Sequence, residues 1–261
     1  MTSLSGGLFR AALDRGIALG TWIKIPAVEI VELVALAGFD FVVIDLEHSP
    51  IGVETAYRLI GTARLSGVAP IVRVPTVDGG LVGRILDAGA EGIMVPHVDT
   101  VADAKAAVSA VRFPPLGARG VGSTSRAGLW GAMPRAEYLR RGQEEVVLIA
   151  QLESAAACRD AGAIGSVEGV DALLVGAADL AVSEGGVESD PEIVALIALA
   201  VSQSLSVGTP IGNAGGPGSA AVRASVDAGF TFTMLSNDAS LFGAAARAAV
   251  EAARTVTAKG N

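Results

Sequence analysis

Eight short apolar runs, each followed by a stretch of helical periodicity, constrain the fold of this 261-residue chain more than any other feature. The runs cover 18–22, 41–44, 70–74, 92–95, 146–151, 172–175, 209–211 and 230–235. They are continuously apolar rather than alternating, the pattern of strands covered on both faces. The segments 28–37, 53–65, 80–88, 101–111, 155–164, 191–206, 219–228 and 241–257 carry apolar residues three and four apart, which lays a stripe along one helix face. Asp190-Pro191 reads as an N-cap followed by proline at the first helical position. The Ala-Gly pairs at 37–38, 88–89 and 228–229 read as helix ends closed by a left-handed glycine. Eight strand–helix units in this length fit an α/β chain folded as one (β/α)8 TIM barrel domain over 1–261. An open doubly wound sheet would carry a glycine-rich phosphate loop after its first strand. The segment there is WIKIPAVE, and no G-x-G-x-x-G or Walker A motif occurs elsewhere.

Two segments break the rhythm. The stretch 112–145 is too long for an ordinary connection and is expected to be an extended loop insertion leaving the barrel floor, serving either as a lid or as a surface or subunit contact. The alanine-rich helix expected at 238–258 has more small-residue surface than one barrel face needs, which suits packing against another subunit.

Composition excludes several classes of function. No apolar run is long enough to cross a bilayer. The opening MTSLSGGLFRAALDRG lacks the basic start and apolar stretch of a secretory signal. A single cysteine, Cys158, rules out an internal disulfide and fits a reducing cytoplasm, so a cytoplasmic protein without a membrane partner is expected. The formal net charge is −8 and no Lys/Arg stripe is present to neutralise phosphates, so nucleic acid is not an expected partner.

Reactive groups of barrel enzymes project from the C-terminal ends of the strands. Asp45, Arg73, Gln151, Glu153 and Asp179 all fall there. Glu153 and Asp179 offer hard oxygen ligands for Mg²⁺ or Mn²⁺ and would leave coordination positions open for substrate. Each could instead cap the helix that follows. Arg73 could hold a carboxylate in a fork or stabilise an oxyanion, or simply form a buried ion pair. His48 lies three residues past Asp45; a carboxylate accepting from one ring nitrogen would make the other a general base near neutral pH. His97, after the fourth run, could support the site from behind. The three lysines are Lys24, Lys105 and Lys259. A Schiff-base aldolase needs a lysine reaching the barrel centre, and only Lys24 is near enough to a strand to compete with a metal-assisted route.

The blocks GTWIKIPAVEIVELVALAGFDFVVIDLEHSP, PIVRVP, LDAGAEGIMVPHV, RFPPLGARGVG, QLES and VGAADL closely resemble the HpcH/HpaI aldolase family, above all its metal-dependent pyruvate aldolases. The resemblance covers nearly the entire chain. It implies a (β/α)8 barrel whose last helix is exchanged between subunits, in a homo-oligomer, commonly a hexamer built as a trimer of dimers. It implies Glu153 and Asp179 as metal ligands, with Mg²⁺ or Mn²⁺ preferred and Co²⁺ or Zn²⁺ compatible. His48 becomes the catalytic base with Asp45 as its orienting partner, and Arg73 the contact to the pyruvate carboxylate or enolate. Gln151 and the turn Gly176-Ala177-Ala178 become substrate-binding, and Asp87 an acid offered across a subunit boundary. The family's usual GPxDLS reads Gly176-Ala177-Ala178-Asp179-Leu180-Ala181 here, so the turn lacks its proline.

The activity implied is a class II aldolase, a carbon–carbon lyase (aldehyde-lyase) of aromatic or sugar-acid catabolism. It would cleave or form a 4-hydroxy-2-oxo acid, with pyruvate and an aldehyde as the smaller partners. Alternatives are an acyl-CoA lyase acting on malyl-CoA or citramalyl-CoA, for which no nucleotide-recognising surface is visible, and a non-catalytic barrel that binds small molecules.

Overall fold

Each apolar run forms or overlaps one strand of a closed barrel. The computed structural model describes residues 7–257. Its strands are β1 (Ala18–Ile23), β2 (Phe41–Asp45), β3 (Ala69–Arg73), β4 (Gly92–Val95), β5 (Val147–Leu152), β6 (Ala172–Val175), β7 (Ile211–Gly215) and β8 (Phe232–Asn237). All neighbours are parallel and in sequence order, with β8 closing on β1, so the chain is a (β/α)8 TIM barrel. Around it run α1 (Leu8–Asp14), α2 (Val28–Leu36), α3 (Val53–Leu65), α4 (Gly79–Asp87), α5 (Val101–Val111), α6 (Arg135–Glu144), α7 (Ala155–Arg159), α8 (Ala161–Gly165), α9 (Ala177–Ser183), α10 (Pro191–Ser206), α11 (Ser219–Asp227) and α12 (Asp238–Thr257).

Although most strand residues are apolar, the two faces of the strands serve different cores. Phe41, Val43, Ile71, Ile149 and Leu174 pack inside the barrel. Val42, Ile44, Val72, Leu148 and Leu173 pack outward beneath the helices. This period of two follows from the pleat and decides which strand-end residues face the mouth. The floor is closed by Phe9 of α1, whose ring stands edge-on to Phe41 and Phe232 at centroid distances of 5.0 and 5.4 Å. The buried Glu91 accepts the Phe9 N–H at 2.6 Å. Glycine is required beside these rings: a Cβ on Gly20 would lie 2.3 Å from Phe41, and one on Gly212 2.2 Å from Phe232.

Several elements differ from the sequence expectation. The seventh strand is displaced from 209–211 to Ile211–Gly215. Pro210 has no N–H for the ladder, and Thr209 turns its hydroxyl onto the Gly165 carbonyl at 2.9 Å, so pairing starts one residue later. The strand then continues through Asn213 and Gly215, which no search for apolar runs would include. Likewise β8 runs from Phe232 to Asn237 rather than over 230–235. The helix expected over 155–164 breaks at Asp160, whose ψ of 11° separates α7 from α8. Helices α1, α6 and α9 were not anticipated.

The 112–145 stretch is a loop only in part, since it contains α6. Arg112, fully buried, donates to the Val146 carbonyl at 2.8 Å and the Gly169 carbonyl at 3.0 Å, ahead of β5 and β6. Arg126 reaches the Ala88 carbonyl at 3.1 Å. Within this chain the segment therefore packs against the floor and not over the mouth. Residue 258 of the expected last helix and Lys259 lie outside the described residues, as does the start of the N-terminal segment. Among the described residues, no helix is long and apolar enough to cross a membrane.

Candidate active site

Strand register makes the first element of the site. Asp45 ends β2 and Arg73 ends β3, and the two are direct partners in the parallel ladder. Counting by twos from Phe41 and Val43, and from Ala69 and Ile71, both point into the barrel. Arg73 grips Asp45 with two prongs, Nε to Oδ1 at 3.0 Å and Nη2 to Oδ2 at 2.8 Å. Its Nη1 lies 3.0 Å from Glu47 Oε2, and the guanidinium stacks over Trp22 at 4.2 Å. Asp45 is completely buried and also accepts the N–H groups of Glu47 and His48 at 3.1 and 3.2 Å. The Lys24 ammonium lies 3.2 Å from its Oδ2. Burial alone would raise the pKa of Asp45, but the hydrogen bonds and charge of Arg73, the His48 N–H and Lys24 together hold it below the ordinary range.

The second element forms across the mouth. Gln151 occupies the inward position after Val147 and Ile149 on β5, and its Nε2 donates to Glu153 Oε1 at 2.6 Å. Glu153, 5% exposed, receives the His97 backbone N–H on Oε2 at 2.9 Å, with the His97 Nδ1 at the same distance. His97 can present both groups because its φ is +53°, a left-handed conformation uncommon outside glycine. Gly176 packs against this carboxylate so closely that a Cβ there would lie 2.8 Å from Glu153 Cγ. Asp179 sits exposed in the first turn of α9, after Ala177 and Ala178. Burial pushes the Glu153 carboxyl up to about 7; the charges of Asp179 and Glu47 add to the rise, and His97 opposes it.

The chain thus brings Asp45, Arg73, Gln151, Glu153 and Asp179 to one end of the barrel. His48 joins them at the rim, but not as a partner of the Asp45 carboxylate. Asp45 takes the backbone N–H of His48, while the ring, 59% exposed, has Nε2 3.8 Å from Glu47 Oε2. The tight turn after β2 makes the main-chain contact the shorter one, and Arg73 already occupies the carboxylate. Asp87 is not brought here within the chain. It closes α4 at the floor, accepting from Arg119 Nη2 and the Tyr138 hydroxyl, each at 3.0 Å. Lys24 is engaged as an ion-pair partner of Asp45, and Lys105 lies in α5 away from the mouth.

Glu47 was expected beside Asp45 and His48 at the end of the second apolar run, but sequence reasoning gave it no role of its own. It links Arg73 to the rim and stands 3.8 Å from both His48 Nε2 and His97 Nε2. Its place two residues past an inward-facing Asp45 was the available signal. Asp238 was missed altogether: buried at the start of α12, it accepts the N–H groups of Lys24 and Ile25 and so fixes the chain leaving β1.

Comparison with known proteins agrees with this geometry. A family profile described as HpcH/HpaI aldolase/citrate lyase matches residues 19–209. The chain is 36% identical over 243 residues to a hydroxypyruvate/pyruvate aldolase of Sagittula stellata, covering 92% of this chain and 95% of that protein. It is 40% identical over 196 residues to a pyruvate aldolase of Rhizobium etli, covering 74% and 76% respectively. A solved HpcH/HpaI aldolase/citrate lyase family protein from Burkholderia cenocepacia superposes with a TM-score of 0.89 at 32% identity, covering 96% of this chain and all of that one. With a parallel eight-stranded barrel, acids and an arginine at its C-terminal mouth, and these relatives, the chain belongs to the HpcH/HpaI aldolase/citrate lyase family and is a carbon–carbon lyase, an aldolase.

Proposed function

We propose that this aldolase cleaves, or forms, a 4-hydroxy-2-oxo acid, exchanging it for pyruvate and an aldehyde with the help of a divalent cation held by Glu153 and Asp179. The observation that carries this reading is the buried Glu153, whose ion-pair partner among the described residues is His97 and not an arginine or lysine, and which is crowded by the charges of Asp179 and Glu47. The donor set fits a hard cation, since both ligands are carboxylates and the buried Gln151 Oε1 beside them has no hydrogen-bond partner. Among the described residues no three His, Cys, Asp or Glu side chains converge as a complete metal cage, which suits a site whose other positions belong to substrate and water. When bound, the ion would act as a Lewis acid on the keto acid; Mg²⁺ and Mn²⁺ are the proposed ions.

The chain's own groups divide the remaining work. Of the five N–H donors of Arg73, three nitrogens already meet Asp45 and Glu47, so its orientation is fixed and its charge faces the mouth. It would meet the substrate carboxylate and the negative charge that develops on the keto oxygen as the C3–C4 bond breaks. His48, on the exposed rim, would take the proton from the C4 hydroxyl. Gln151 and His97 hold the Glu153 carboxylate in place, and Gly176 lets the backbone approach it.

Exposed Phe242, Val250 and Val256 on α12 support a homo-oligomer in which this helix docks on a neighbour, with a trimer of dimers as the proposed form. The lone buried Cys158 supports a cytoplasmic setting. The test of the activity is pyruvate release from a panel of hydroxy-keto acids, with Mg²⁺, Mn²⁺, Co²⁺ or Zn²⁺ added and again after chelation. Activity should appear with metal and vanish in chelator. Equal rates in chelator would refute the role given to Glu153 and Asp179.

A further inference from the structure

We propose that the His97 ring stands in for the divalent cation. In the metal-free protein it occupies Glu153 Oε2, and it gives that oxygen up when the ion binds. His97 would then set how tightly the ion is held without taking part in the chemistry. This rests on the metal role given above to Glu153 and Asp179, and adds the residue that tunes it.

Three contacts hold the Glu153 carboxylate, and they differ in their freedom to leave. Gln151 Nε2 donates to Oε1 at 2.6 Å from a buried side chain. The His97 backbone N–H donates to Oε2 at 2.9 Å and is fixed by the chain just after β4. The His97 Nδ1 meets the same Oε2 at 2.9 Å, from a side chain 64% exposed. An exposed side chain changes rotamer in picoseconds to nanoseconds, so the ring can leave while the other two contacts stay.

The two oxygens differ as well. Oε1 is hemmed in by Gln151 and by Gly176, where an added Cβ would lie 3.1 Å from it. Oε2 has two lone pairs, and His97 supplies a partner for each. A cation gripping Oε2 must therefore replace the ring, since the backbone cannot move aside. The left-handed φ of +53° at His97 brings the ring beside its own N–H, so that both reach one oxygen. The other ring nitrogen, Nε2, is 3.8 Å from Glu47 Oε1, beyond hydrogen-bond reach, so the ring is tied at one end only. The charges of Asp179 and Glu47 crowd Glu153, and His97 opposes them, which is in small measure what a cation would do.

A purely structural His97 would steady the metal-free and the metal-loaded protein alike and leave ion affinity unchanged. A stand-in steadies the metal-free protein alone, so removing it must weaken that form and tighten ion binding together. Mn²⁺ affinity would be measured by calorimetry at one fixed pH for the wild type, His97→Ala, His97→Phe and Glu153→Gln, with thermal unfolding followed in chelator and in excess Mn²⁺. His97→Phe keeps the bulk of the ring and lacks its nitrogens. Both His97 variants should bind Mn²⁺ about threefold to tenfold more tightly than the wild type. Both should unfold at a lower temperature in chelator, yet approach the wild type in Mn²⁺. Weaker binding in both would make the ring a ligand and overturn the stand-in. Equal affinity would overturn it too, and loss of binding in Glu153→Gln would then leave the metal reading intact. No Mn²⁺ binding to the wild type or to either His97 variant would sink the metal reading and this one with it.

Discussion

Replacing Glu153 by glutamine tests the electrostatics of the site without any substrate. In the metal-free protein the Glu153 carboxyl is pushed from an ordinary 4.5 up to about 7, first by burial and then by Asp179 and Glu47. The folded state therefore holds a proton between those pH values that the unfolded chain has released. Its stability must fall as pH rises through that window, and the full penalty applies above the folded pKa. At about 1.4 kcal/mol per pH unit the penalty is about 3 kcal/mol, an order-of-magnitude figure. Glutamine cannot ionise, so Glu153→Gln abolishes the slope. It also introduces a constant offset, because its amide must face both the Gln151 and the His97 donors, which now contact a group that accepts at one atom only. The diagnostic is thus the pH dependence of the difference and not its size at one pH. Urea unfolding of the chelated wild type and of the variant, from pH 4.5 to 8.5, should show the variant gaining about 3 kcal/mol on the wild type across the range. Added divalent ion should then restore the wild type at pH 8.5 and do little for the variant. A difference that stays flat with pH would refute the environment described for Glu153.

Other perturbations separate base, clamp and floor. His48→Ala should reduce turnover by about 100-fold or more, with divalent-ion affinity little changed because the ring touches neither proposed ligand. Turnover close to wild type in a steady-state assay would remove His48 as base. Arg73→Met leaves Asp45 fully buried with Lys24 as its remaining cation, and should cost about 3–5 kcal/mol in urea unfolding. A loss below about 1 kcal/mol would mean that the fork on Asp45 is not what keeps it charged. Phe9→Ala opens a cavity at the floor, where the ring is wholly buried against Phe41 and Phe232, and should cost about 3–5 kcal/mol. Its effect on KM should be small, since the mouth lies at the opposite end of the strands.

The strands were legible wherever both faces are covered, because burial on two sides writes a continuous apolar run. That reasoning failed at β7, where Asn213 and Gly215 extend a strand that composition would end, and Pro210, with no N–H to give, meets β6 only through its carbonyl, which accepts the Leu173 N–H. It could not see α1, a seven-residue helix lying before the first strand, yet Phe9 on that helix closes the barrel floor. Inward facing at Asp45, Arg73 and Gln151 was foreseeable from strand alternation. Distance along the chain hid the rest: Asp238 holding the backbone of Lys24 across 214 residues, and His97 holding Glu153 across 56, leave no local trace.

The sequence by itself determined the architecture and the kinds of group available at the mouth, since periodicity and residue type are local properties. Which groups touch was decided by register and closure. The β2–β3 register set Arg73 onto the carboxylate that spacing had offered to the His48 ring. It left His48 a main-chain hydrogen bond to Asp45 and placed its ring nearest Glu47. Barrel closure set β1 opposite β5 and so placed the strand that ends before Lys24 across the mouth from the strand that ends before Glu153. A strand's neighbours and the direction across a barrel exist only once the ring is complete, and no short stretch of chain encodes them.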